Sequence, residues 1–159
     1  MKKFVKFITL IGILALVLAA TAAWAQPGMG PGGGQGRGWG AADSYSRLYD
    51  PKTVETISGE VVSVDKFTPG RKMSYGVHFT LKTEKETIPV HLGPSWYVEK
   101  QAMTIAQGDK VEVTGSRITY EGKPTIIAGE VKKGGQDLKL RDAAGVPAWA
   151  GASQGPRGR

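Results

Sequence analysis

His78 and His91 are the only histidines in this 159-residue chain, and cysteine is absent. Neutral imidazole is a ligand for zinc, copper, nickel and iron, so the first question is whether the two rings can meet. "SYGVHFTLKT" and "TIPVHLG" are alternating runs joined by a short "TEKE" turn, the pattern of a β-hairpin. Setting Leu81 opposite Ile88, Phe79 opposite Val90 and Val77 opposite Leu92 gathers the large apolar side chains on one face. A slip of one residue would turn them toward water. The same register places His78 opposite His91 on the other face, with Cβ atoms about 4.5–5.5 Å apart. At that spacing two imidazoles can share one divalent metal. Zinc usually takes about three or four protein ligands, and neither strand carries an acid to complete a set. The plainer alternative is therefore two outward, solvated polar residues and no cofactor.

A second group of residues lies in loops. "KFTPGRKMSY" carries Lys66, Phe67, Arg71, Lys72 and Tyr75, and "TYEGKP" carries Tyr120 and Lys123. Cations neutralise phosphate or uronate, and aromatic faces stack on bases or sugars, so this set suits an anionic polymer. The alternative is ordinary solvated loop chemistry. Nothing points to an enzyme. No Ser/His/Asp order, Cys/His pair or His-Glu-x-x-His is present. "GPGGGQGRGWG" imitates a phosphate-binding loop, but no strand precedes it and no helix follows.

The elements that must position these residues are short and rich in β-branched side chains. Thr53 to Phe67 reads as a long first strand. Its apolar phase changes from Ile57, Gly59 and Val61 to Val62 and Val64, which implies a bulge. The histidine hairpin supplies strands two and three, with Tyr75 sharing the inward face of Val77. Pro94 can start a helix of about two turns to Gln101, since its fixed φ suits a first helical position. "DKVEVTGS" is a fourth strand. "RITYEGKPTIIAGEVKK" is broken by a turn, and "QDLKLRD" can add a last short strand. This order predicts an all-β fold: a five-stranded OB-fold-like Greek-key barrel with a short helix between strands three and four. An SH3-like barrel lacking the helix is the competitor. In the OB arrangement Trp96 packs against one barrel end and Trp149 clamps the C-terminal segment.

The ends of the chain speak to compartment. Lys2, Lys3 and Lys6 precede an apolar run from Phe7 to Ala20, and Ala23 and Ala25 form an A-x-A site before Gln26. Residues 1–25 thus read as a secretory signal peptide, with a retained anchor as the alternative. The expected location is periplasmic or secreted, with no membrane span once the signal is cleaved. The formal net charge is +7, and loss of the three signal lysines leaves +4. Such a mild excess suits an anionic ligand or an envelope protein as partner. Nucleic acid is disfavoured in that compartment. Residues 26–42 are Gly- and Pro-rich and read as a disordered linker, and 152–159 as a disordered tail. The folded domain is expected at 43–151.

Three motifs carry a resemblance: His-Leu-Gly-Pro-x-Trp-Tyr at 91–97, Gly-Asp-x-Val-x-Val-x-Gly-Ser at 108–116 and Leu-Arg-Asp-x-x-Gly-x-Pro-x-Trp at 140–149. From about Tyr49 to Trp149 the chain resembles the C-terminal domain of MamS/MamX-type magnetosome proteins. The resemblance implies an OB-like domain with an accessory role in iron-mineral biology. MamX-type members carry haem motifs that are missing here, so an electron-transfer role does not carry over.

Overall fold

The computed structural model describes residues 39–41, 43–71 and 73–151. Residues 1–25, the linker up to residue 38, Lys72 and the tail 152–159 lie outside the described residues. Among the described residues no helix is long and apolar enough to cross a membrane.

The strands are β1 (Val54–Phe67), β2 (Gly76–Lys82), β3 (Thr87–Pro94), β4 (Lys110–Tyr120), β5 (Lys123–Lys133) and β6 (Gln136–Lys139), with α1 (Ser95–Val98) between β3 and β4. β1 pairs with β2 and β4, β2 with β3, and β4 with β5, all antiparallel. A parallel contact, Val90 with Ile126, joins β3 to β5. These pairings close β1 to β5 into a ring, the circuit of an OB-like barrel. The sixth strand, β6, hangs on the end of β5. The fold is the all-β barrel expected, with one more strand than five.

β1 serves both halves of the ring because it is kinked. Its N-terminal half pairs with β4 up to Glu60, and its C-terminal half pairs with β2. The register shifts between Val61 and Ser63, where the apolar phase of the sequence changes. Phe79, Leu81, Ile88, Val90, Leu92, Val113, Ile126 and Val131 fill the barrel and are essentially inaccessible.

Several expectations need correction. Val77 faces Gly93 and not Leu92, because a register shift falls between Val77 and His78. Tyr75 precedes β2 and is 63% exposed, not inward. The helix is shorter than two turns, and Pro94 is its N-cap, with Ser95 its first helical residue. β4 continues past Ser116 to Tyr120, since the turn comes at Glu121 and Gly122, both at positive φ. Trp39, inside the run read as linker, is only 1% exposed and belongs to the core cluster.

Candidate functional site

The histidine hairpin has the register that its apolar side chains demand. His78 pairs with His91, Phe79 with Val90 and Leu81 with Ile88. The two imidazole centroids are 5.6 Å apart. On the neighbouring strand Asp65 stands opposite His78. The two histidine strands carry no acid themselves, and Asp65 comes beside His78 only through the pairing of β1 with β2.

This face is not the solvated surface expected. His91 is only 4% exposed. Phe67 lies 4.1 Å from its ring centroid, and Tyr120 meets it edge-on at 5.1 Å. Tyr45 stacks from the N-terminal side and its Oη sits 2.7 Å from His91 Nδ1. A buried phenol needs an acceptor, and a neutral imidazole nitrogen provides one. Tyr45 therefore donates to Nδ1, which leaves the proton of His91 on Nε2. Burial pushes the His91 pKa down to about 3, with His78 and Arg141 adding to the shift. Burial also lowers His78, against the opposing charge of Asp65, and raises the Tyr45 phenol above its ordinary range. Both rings are thus neutral at physiological pH. His78 Nδ1 is buried without a hydrogen-bond partner.

The cover over this face comes from both ends of the domain. Trp39 donates its indole N–H to Ser74 O at 2.8 Å, and Trp149 donates to Trp39 O at 2.8 Å. Trp149 lies against Gly93, where an added Cβ would come within 2.4 Å of its ring. Gly76 makes room for Trp39 and Phe67 in the same way. Arg141 is buried beneath the cover, with its guanidinium 4.8 Å from the Trp149 ring and Nη1 donating to Ala128 O at 2.6 Å. Burial lowers the pKa of Arg141. Its Nε and Nη2 find no partner. The result is a second apolar layer on the outside of the barrel, over the sheet face where OB domains usually take ligands. The motif at 140–149 is explained by this cover: it supplies Arg141, Trp149 and Gly145, which packs against the Tyr49 ring. Trp149 has the clamping position expected, whereas Tyr45, Trp39 and Arg141 were missed. The only signal for the first two was a pair of aromatics at the edge of a Gly-rich run.

The loop residues divide. Phe67 and Tyr120 turn inward and join the histidine layer. Lys66 projects from the other side of β1 and pairs with Glu99 at 3.0 Å. Arg71, Tyr75 and Lys123 are exposed. The Tyr120 hydroxyl donates to Pro69 O at 3.2 Å, which ties the β1–β2 loop to the end of β4. Among the described residues Arg71 and Lys123 make no ion pair. Also among the described residues, no group of three or more His, Cys, Asp or Glu side chains is arranged to hold a metal.

A small OB-like barrel with its outer sheet face capped by the segments around Trp39–Tyr45 and Arg141–Trp149 is the class that this geometry defines. Over residues 53–138 the sequence matches the model of the MamS/MamX magnetosome protein family, and the chain belongs to that family. Two of the three motifs behind the resemblance, at 91–97 and 108–116, fall inside the match, and the third lies just beyond it. No curated protein sequence is significantly similar to the chain.

Proposed function

We propose that this protein is an exported, non-enzymatic accessory module of the bacterial envelope, associated with magnetosomes, that holds an acidic polymer at the loop rim of its barrel. The observation behind this reading is the junction of the two loops through Tyr120 and Pro69, beside Arg71 and Lys123, which are exposed and, among the described residues, make no ion pair. The covered sheet face leaves the rim as the accessible part of the usual OB ligand region. An acidic glycan fits the expected compartment better than single-stranded nucleic acid. Fluorescence anisotropy with labelled heparin as the polyanion probe tests this. Binding should weaken linearly with log salt, and the double variant Arg71→Ala/Lys123→Ala should bind at least about tenfold more weakly. Unchanged affinity in the double variant ends the proposal.

A second reading, metal handling at His78 and His91, is favoured by the unpartnered His78 Nδ1 beside a second neutral ring. Tyr45 already occupies His91 Nδ1, so that ring would have to offer Nε2. Asp65 is the nearest acid by register. Isothermal titration with zinc, copper and nickel ions tests it: binding heat that disappears in His78→Ala supports the site, and no heat at micromolar metal removes it.

A further inference from the structure

Among the described residues the C-terminal half of β1 has a free edge. β4 stops pairing with β1 at Glu60, and the last bonds on that side are Val61 N–H to Asp109 O and Gly108 N–H to Val61 O, both at 2.8 Å. From Ser63 to Phe67 the strand is paired with β2 only, among the described residues, and Val62 is the extra residue of the bulge. In an antiparallel ladder alternate residues aim their N–H and C=O groups away from the partner, so this half of β1 presents backbone donors and acceptors to solvent. Val62 and Val64 are 41% and 38% exposed along it.

Beside that edge lies a cavity of about 290 Å³. One wall is Val64 to Lys66, the opposite wall is the irregular segment carrying Met103, Thr104 and Ile105, and the floor is Val77, Leu92 and Val98. The Lys66–Glu99 ion pair stands at its mouth, so the site has no strong net sign. A row of solvent-facing backbone groups beside an apolar cavity calls for a ligand with its own backbone. Neither a lipid chain nor a sugar supplies matching N–H and C=O groups at strand spacing.

We propose that this groove binds an extended, uncharged peptide segment of a partner protein by strand addition to β1, with an apolar side chain of the peptide entering the cavity. The edge that is regularly paired on its other side spans Ser63 to Phe67, enough for a short strand of ordinary length. This site is separate from the loop rim and does not depend on the polyanion reading.

The test uses the isotope-labelled mature chain and a short blocked peptide of alternating valine and threonine, with a proline-interrupted version as control. Proline removes a ladder donor and cannot extend the strand. The alternating peptide should shift the amide resonances of Val62 to Phe67 and slow, by at least about tenfold, the hydrogen exchange of those among them whose N–H groups face away from β2. Val64→Asp should abolish the effect, and Val54→Asp, equally exposed but on the half paired with β4, should retain it. Both substitutions are at exposed positions, and thermal unfolding checks that each variant folds. The proposal fails if the proline peptide acts equally, if no shift occurs at millimolar peptide, or if sedimentation shows the edge already taken by a second copy of the chain.

Discussion

Mild acid should destabilise this protein through His91 before its carboxylates titrate. His91 is 4% exposed, and its pKa is pushed down to about 3, chiefly by burial. An imidazole in the unfolded chain titrates near about 6.5. Between those values the unfolded state holds a proton that the folded state lacks. Stability therefore rises with pH across this window and is lost as pH falls through it. One proton of difference is about 1.4 kcal/mol per pH unit, so His91 alone removes about 2 kcal/mol between about pH 6.5 and pH 5. His78 shifts in the same direction and adds to the loss. Asp43, raised by burial, acts in the opposite sense, and Glu86 and Asp109, lowered by Arg117 and Lys133, act with the histidines. The Glu86 and Asp109 effects lie at and below the ordinary carboxylate range, whereas the Asp43 effect lies at and above it and offsets part of the histidine loss. Urea unfolding of His78→Gln against His78→Gln/His91→Gln isolates His91. Glutamine can still accept from Tyr45 but does not titrate. The single variant should lose about 2 kcal/mol over the window, and the double variant should stay nearly flat. Parallel slopes would refute the reasoning, because they would mean that His91 is protonated in the folded state.

Other consequences follow from the same packing. Trp149→Ala removes the indole bond to Trp39 O and the ring over Arg141, and should cost about 3–5 kcal/mol in chemical denaturation. Gly93→Ala forces a Cβ into the Trp149 ring and should cost about 1–3 kcal/mol, with a red-shifted tryptophan emission as Trp149 is displaced. Arg117 bonds Glu55 on β1 and Glu86 in the β2–β3 turn, and is about a third exposed. Arg117→Met should therefore cost only about 1 kcal/mol, and less at high salt, by thermal melting in low and high sodium chloride.

The parts of this molecule that were legible beforehand are those governed by local alternation. The histidine pairing followed from keeping Phe79, Leu81, Ile88 and Val90 on one face, and the kink in β1 from the phase change at Val61–Val62. Both are short-range patterns, where a wrong register carries an immediate hydrophobic cost. The cover over the histidines was not legible. Trp39 lies in a run whose glycine content reads as disorder, and its partner Trp149 is 110 residues away. No periodicity links the two. The inward turn of Phe67 and Tyr120 was missed for the same reason: loop aromatics look available for stacking until the segments that cover them are known. Lys66 was read as a free cation because the sequence does not place Glu99 beside it.

The proposed function requires that the loop rim bind polyanion while the sheet face stays covered. Amide chemical-shift mapping with a defined sulfated oligosaccharide tests it most directly. Shifts are expected at residues 68–71 and 120–123 that fade with added salt, while His78, His91 and Tyr45 remain unmoved. Shifts concentrated on β2 and β3, with Trp39 and Tyr45 released from the sheet, would contradict it.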